Sequence, residues 1–374
     1  MTDSKKGAVV KAIGLMSGTS LDGIDAALLE TDGEGVVFPG SALTVPYDTD
    51  LRTLLRAAME EAARAPLGGE SSNRMRDAEQ RLTAAHAGAV ERLLGDSGLD
   101  KGEIAYVGFH GQTILHRPSE RSSWQLGDGA MLAHEIGIPV INDFRSADIA
   151  SGGQGAPFAA LYHLALAKSA GALLPMVVLN IGGVANVTYI GSDDVLIAFD
   201  TGPGNAAIDD WMMKQLGEPM DRNGALAQKG IVQQETVMQM LSHPYFSLPP
   251  PKSLDRFDFS REFVSEMSPE DGAATLTAFT VLSIVRGTEH FPMKGRGWLV
   301  SGGGRHNLAM MESLRGVLRA PVLPVEKAGW RGDFLEAEAF AYLAVRSAKG
   351  LPLSLPSTTG VPEPMTGGRL HRPF

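Results

Sequence analysis

The sequence predicts an α/β protein of two lobes, and three observations carry that reading. Short apolar runs that end in glycine-rich turns alternate with longer segments of helical period. Two glycine-tipped hairpins stand in separate halves of the chain, one at residues 17–23 and one at Gly182-Gly183. Near the end, an apolar run over 298–301 passes through Gly302-Gly303-Gly304 into a helix carrying Leu308, Met311 and Leu314, a strand–glycine–helix unit that lets a flat ligand approach the backbone. At 374 residues and 44% hydrophobic content the chain is long enough for two domains with buried cores.

The elements follow in order. The apolar run from Ile13 opens into Ser17-Gly18-Thr19-Ser20-Leu21-Asp22-Gly23 and closes into a second apolar run over 26–29. Its glycines permit unusual backbone angles and inward-pointing N–H groups, its hydroxyls add donors, and Asp22 or Asp25 suits a magnesium ion held through water. No Lys-Ser or Lys-Thr pair follows, so this is not a Walker A loop. Ala78, Leu82, Ala85, Ala89 and Leu93 predict a helix over 75–94 stopped by Gly95. An apolar strand over 105–109 ends in His110-Gly111-Gln112-Thr113, and Arg145 and Asp148 precede the turn Gly152-Gly153-Gln154-Gly155. Runs over 177–181 and 184–190 flank Gly182-Gly183, a tight hairpin expected to take positive φ at both central residues. A third strand, 195–199, delivers Asp200 at its end, and Thr201-Gly202-Pro203-Gly204-Asn205 turns the chain into a helix with Ile208, Trp211, Met212 and Leu216. Asp333 and Glu336 predict a capping box ahead of the last long helix, and residues 351–364, rich in Pro, Ser, Thr and Gly, read as a mobile tail. No internal repeat is visible.

Composition excludes several classes. A formal charge of −10 without clustered Lys and Arg argues against nucleic acid or an anionic membrane as partner. The absence of cysteine removes disulfides, thiolate metal sites and a thiol nucleophile. The apolar stretch beyond Lys5, Lys6 and Lys11 is broken by Gly14 and Ser17, too short for a signal or a span, and a cytoplasmic protein is expected. Gly202-Pro203-Gly204-Asn205-Ala206-Ala207 also fits G-x-G-x-x-A, with Asp221 near the distance of a ribose-binding acid, so a dinucleotide site is the rival reading of this segment.

Two hairpins plus the strand–glycine–helix unit form the arrangement of the acetate and sugar kinase, heat-shock ATPase and actin superfold, whose two lobes grip a nucleotide in the cleft between them. The segment G-L-M-S-G-T-S-L-D-G-I-D resembles the signature of the anhydro-N-acetylmuramic acid kinases, bacterial enzymes of cell-wall recycling. His110 to Thr113, Asp143 through Pro157, Asn180 through Asn186, Phe199 through Asn205, and Ser301 to Gly304 with Asn307 resemble the same family in order, over roughly residues 13 to 345. The resemblance implies one lobe of residues 1–142 plus about 335–374, and a second of 143–334.

It further implies that ATP and magnesium convert 1,6-anhydro-N-acetylmuramic acid and water into N-acetylmuramic acid 6-phosphate and ADP, and that the protein is a homodimer. In the family, the residue matching Asp200 is the general base; the alternative role for Asp200 is to cap the following turn through the Thr201 or Gly202 amides. Residues 17–23 with Gly182 and Gly183 are expected to clamp the phosphates, and Gly302, Gly303, Gly304 and Asn307 to border the adenosine. Gln112, Thr113, Gln154 and Asp148 are candidates for the sugar, Arg145 for its lactyl carboxylate, and His110 for either a sugar contact or a satisfied core position. A plain sugar kinase and a heat-shock- or actin-like ATPase are the alternatives.

Overall fold

A computed structural model describes residues 7–18, 20–64, 72–193, 195–255, 259 and 262–374, apart from the side chain of Ser119. The strands are β1 (Val10–Ser17), β2 (Gly23–Thr31), β3 (Val37–Pro46), β4 (Ile104–Arg117), β5 (Ser122–Leu126), β6 (Val140–Asn142), β7 (Met176–Ile181), β8 (Val184–Ile190), β9 (Leu196–Pro203), β10 (Trp298–Ser301), β11 (Val322–Pro324) and β12 (Arg369–His371). They form two sheets, in the order β12-β6-β4-β1-β2-β3 with β5 beside β4, and β11-β10-β7-β8-β9.

The two sheets share one plan. In the first, β1, β2 and β3 make an antiparallel meander, β4 lies parallel to β1 and β6 parallel to β4. In the second, β7, β8 and β9 make the meander, β10 lies parallel to β7 and β11 parallel to β10. A duplication that no repeat in the sequence betrays is thus explicit in the backbone. The chain separates into one unit running to Gly171 and resuming at Phe334–Phe374, and another of Ala172–Asp333.

In the first unit the helix Leu335–Ala348 is buried along nearly its whole length, with Ala337, Ala341, Leu343, Ala344 and Val345 inaccessible. It lies directly on the sheet because Gly14 of β1 and Gly108 of β4 have no side chain: a Cβ at either would run into the carbonyls of Ala337 or Phe340. On the opposite side, the helices Asn73–Ser97 and Gly129–Ile136 supply Ala89, Val90, Leu93, Leu132 and Ala133 to a cluster with Ile13, Leu15, Ile24 and Phe109. The second unit buries Val177, Leu179, Val187, Phe199, Trp211, Leu276, Val300 and Leu314 around its own sheet.

Several expectations change. The helix over 75–94 runs from Asn73 to Ser97, and Gly98, at φ 66°, caps it instead of Gly95. Residues 143–171, expected in the second lobe, belong to the first unit: Phe144 and Phe158 pack with Ile141, Phe340 and Leu343. The tail over 351–364 is packed. Leu353 and Val361 are buried, Ser354 bridges to Met365, and β12 pairs antiparallel with β6. Asp333 does not cap the last helix, whose N-cap Phe334 makes no side-chain bond, because its carboxylate is paired with Arg305 at 2.6 Å. No described helix is long and apolar enough to cross a membrane.

Candidate active site

In the first unit the β1–β2 tip is a loop held from several sides. The N–H of Leu21 donates to the Gly18 carbonyl at 3.1 Å, turning the chain so that Leu21, at φ 59°, is buried against Leu51, Leu55, Ile114 and Leu126. A left-handed leucine is a strained conformation that persists only where the surroundings enforce it, and here the buried side chain does so. Ser17, also buried, donates through Oγ to the Gly111 carbonyl at 3.3 Å, and Gln112 Nε2 donates to Gly18 O at 3.1 Å. The His110 to Thr113 block therefore sits inside β4, which continues to Arg117, and not at a strand end as expected. Gln112 is inaccessible, its Nε2 bracing the tip while Oε1 has no hydrogen-bond partner among the described residues, and Thr113 Oγ1 accepts from Gln125 Nε2 at 3.2 Å. Ser20 and Asp22 are exposed, Asp22 lying 3.9 Å from Arg52, while Asp25 Oδ1 accepts from Thr44 at 2.6 Å. Thr19 lies outside the described residues.

A second group in this unit centres on Arg145, whose Nη1 donates to Gly155 O at 2.5 Å and whose Nη2 lies 2.9 Å from His110 Nε2. Because a guanidinium only donates, His110 accepts through Nε2 and donates through Nδ1 to Gly111 O at 2.8 Å. Burial, and then the Arg145 charge, hold the His110 pKa well below the usual value, which keeps the ring neutral for that role. His110 is thus a satisfied core histidine that orients Arg145. Asp148 uses both carboxylate oxygens within the chain, Oδ1 accepting from Gly155 N at 2.7 Å and Oδ2 from Thr359 at 2.6 Å. Gln154 is tied at its backbone N–H to Thr359 O at 2.6 Å. Beside His110 and Gly111 opens a cavity of about 420 Å³, lined also by Trp124, Gln125, Asn142 and Asp143.

In the second unit the β7–β8 tip is two residues long. The carbonyls of Gly182 and Gly183 accept from the N–H groups of Asn205 (2.7 Å) and Gly204 (2.9 Å), so the tip is seated on the start of the helix Ala206–Leu216. Asn205 Nδ2 donates to Ile181 O at 3.0 Å and stands beside Gly303, bringing Gly182, Asn205 and the Gly302 to Gly304 turn together. Gly182 does not take the positive φ expected of it, because these backbone bonds and not a mirror-image turn close the tip. Asp200 lies inside β9 rather than at its end, next to a bulge that sets Asn186 opposite Asp200 and Ala185 opposite Gly202. Its carboxylate Oδ2 accepts from the Leu254 N–H at 2.9 Å, and the residue is 5% exposed. Asn307 caps the helix Leu308–Leu318 through Met310 N at 3.0 Å.

A family model described as anhydro-N-acetylmuramic acid kinase matches residues 10–372. The chain belongs to that family. Anhydro-N-acetylmuramic acid kinase of Paramagnetospirillum magneticum is 53% identical over 365 residues, covering 97% of this chain and 99% of its own. That of Rhodospirillum rubrum is 54% identical over 360 residues, covering 96% and 93%. Among solved structures, the Acidaminococcus fermentans (R)-2-hydroxyglutaryl-CoA dehydratase component A is similar over 91% of this chain and 99% of its own, at 12% identity and a TM-score of 0.47.

Within this chain the dinucleotide reading fails on geometry. Gly202 is part of β9, which runs on through Pro203, and the Asp221 carboxylate is spent on the N–H groups of Leu226 (2.8 Å) and Ala227 (2.9 Å). The glycines of the site residues sort into two kinds. Gly302, at φ 72°, needs the left-handed region, and a Cβ there would also press on Ile181 O at 2.5 Å. Gly18, Gly182 and Gly303 have no such need: none has a left-handed φ, and a Cβ on each would meet nothing nearer than 3.6, 3.6 and 3.5 Å. Arg305 escaped the sequence reading. It is 3% exposed at its side chain, pairs with Glu326 at 2.9 Å and donates to Gly302 O at 2.9 Å, fixing the glycine turn. A lone Arg after three glycines carries no sequence signal that distinguishes it from a surface cation.

Proposed function

We propose that this protein uses ATP to open the 1,6-anhydro bridge of 1,6-anhydro-N-acetylmuramic acid and to phosphorylate oxygen 6, giving N-acetylmuramic acid 6-phosphate and ADP in peptidoglycan recycling. The observation that carries the kinase reading is the room left in front of Gly18, Gly182 and Gly303, glycines that the fold itself does not require. Backbone N–H groups at such positions approach phosphate oxygens without a side chain between them, and phosphoryl transfer depends on that positioning.

Asp200 is the base in this reading. It takes a proton from water as the water oxygen bonds to the anomeric carbon; the bond from that carbon to the bridge oxygen breaks; the freed oxygen 6 bonds to the γ-phosphorus as ADP leaves. The Leu254 N–H orients the carboxylate, and the surrounding burial keeps it from bulk water. Arg145, fixed by His110 and Gly155, is assigned to the sugar's carboxylate, with Thr113 and Gln154 around the sugar and Gln112 bracing the β1–β2 tip. Asp148 holds the 152–155 turn on which that assembly rests. Residues 17–23 and Gly182-Gly183 clamp the phosphates, and Gly302 to Gly304 with Asn307 border the adenosine.

No group of three or more His, Cys, Asp or Glu able to hold a metal occurs among the described residues. Exposed Asp22 and partly buried Asp25 are oxygen donors that fit a magnesium ion retaining most of its water. When bound, that ion neutralises phosphate charge. The protein acts in the cytoplasm as a homodimer in this reading, and sedimentation tests the dimer. Asp200→Asn is expected to lower kcat by about 10²–10⁴ while nucleotide binding stays intact. With ATP, magnesium and the anhydro-sugar, one ADP per phosphorylated sugar is expected; ADP released with the sugar unchanged would favour an ATPase instead.

A further inference from the structure

Asp200 is gripped at three points by the chain on either side of the prolines at 249–251. Its N–H donates to Lys252 O at 2.9 Å, its carboxylate accepts from Leu254 N–H at 2.9 Å, and its carbonyl accepts from the Tyr245 hydroxyl. Tyr245 belongs to the short helix Pro244–Ser247, while Lys252 and Leu254 follow the prolines at 249–251, so two stretches of chain must be held in register for these bonds to coexist. Lys252 is what joins them. Only 6% exposed, its ammonium donates to Tyr245 O at 3.1 Å and to Leu248 O at 2.9 Å, and stands 4.6 Å from the Tyr245 ring centre and 6.0 Å from that of Phe199. Charge-assisted bonds and two aromatic faces hold the cation there.

We propose that Lys252 is a positioning residue for the reaction: its charged side chain clips the 244–248 turn to the 252–254 segment and so fixes the Asp200 carboxylate for catalysis. The inference rests on Asp200 being the base. Burying a cation costs free energy that an apolar residue of the same length would avoid, so a Lys retained here serves orientation more than stability. The charge is also conditional. Burial, and then Arg286 of the helix Pro269–Gly287, lower the Lys252 pKa to about 8, with Glu289 of the turn Thr288–His290 opposing. The charged and titratable groups facing it are Tyr245, Arg286, Glu289 and His290. A lowered pKa means the ammonium is present at pH 7 and lost as pH rises through about 8, which loosens the clip.

The test compares Lys252→Met, Lys252→Arg and Asp200→Asn, with kcat and KM for ATP and for the anhydro-sugar measured across pH. Lys252→Met is expected to lower kcat about 10- to 100-fold at pH 7 with KM for ATP within about twofold, and to abolish the alkaline fall of kcat. Lys252→Arg, which keeps its charge, is expected to hold kcat past the pH at which the natural protein declines. A folded Lys252→Met with unchanged kcat, or with the alkaline fall intact, overturns the proposal. If that variant does not fold, Tyr245→Phe, which removes only the hydroxyl on the Asp200 carbonyl, is expected to cut kcat about tenfold at unchanged KM, and an unaltered kcat overturns it equally. Normal turnover by Asp200→Asn would sink the base assignment instead, whereas an inactive Asp200→Asn beside a fully active Lys252→Met would sink the clip alone.

Discussion

The β1–β2 and β7–β8 hairpins occupy the same place in two sheets of the same plan, yet they are built differently. The first has a long tip anchored from below by the buried side chain of Leu21 and braced by Gln112; the second has a two-residue tip whose carbonyls are bonded to the start of the following helix. One tip is fixed largely by side chains, the other by backbone hydrogen bonds. Duplicated backbone plans thus need not carry duplicated sequence, because the sheet order is set by hydrogen bonding while each tip is set by whatever local packing is at hand.

The comparison separates glycines that the fold requires from glycines that it does not, and substitutions break it in order of size. The largest effect is expected at Gly14, where Val would drive a side chain into the Ala337 backbone and unseat the helix Leu335–Ala348. Overpacking against a backbone that cannot yield costs about 1–3 kcal/mol or more, and denaturant titration of Gly14→Val should show it. A smaller and different effect is expected from Gly182→Val. A Cβ at Gly182 would meet nothing nearer than 3.6 Å, so the unfolding midpoint should stay put while the apparent ATP constant rises about tenfold or more. Gly18→Val is expected to raise that constant as well, since a Cβ at Gly18 likewise has room in the fold. An ATP constant unchanged in both would place the nucleotide elsewhere.

The smallest effect distinguishes the units by pH. His86, His116 and His163 are buried in the first unit, and burial lowers their pKa values to about 4, 3 and 3. In the second unit His290 is shifted down, and His243 and His306 are not buried. A histidine whose folded pKa is depressed stays neutral in the fold and binds a proton when unfolded. Its stability contribution is therefore whole above about pH 6.5 and is lost as pH falls from there toward about 3. Hydrogen exchange at pH 5 against pH 7 should show first-unit amides losing protection before those of the second; equal loss would contradict this account.

Much of this was legible in the chain. Alternation of apolar runs and glycine turns located both hairpins, the strand bearing Asp200 and the Gly302 turn, because those features depend on local backbone needs. What escaped depends on distant partners. Phe144 and Phe158 choose the first unit only because Phe340 and Leu343 return to it some two hundred residues later. The Pro- and Gly-rich stretch over 351–364 looks mobile by composition but is pinned by Leu353, Val361 and the Thr359 to Asp148 bond. Lys252, beside three prolines, has no pattern that marks it, since its importance lies in the two carbonyls it joins.

The most direct test of the central claim is the mass of the sugar product formed from the anhydro-sugar, ATP and magnesium in water enriched in oxygen-18. The account predicts a product heavier than the substrate by one phosphate and one labelled water, because bridge hydrolysis and phosphoryl transfer occur in one event. A product that gained phosphate without water would contradict it and leave an ordinary sugar kinase on this fold.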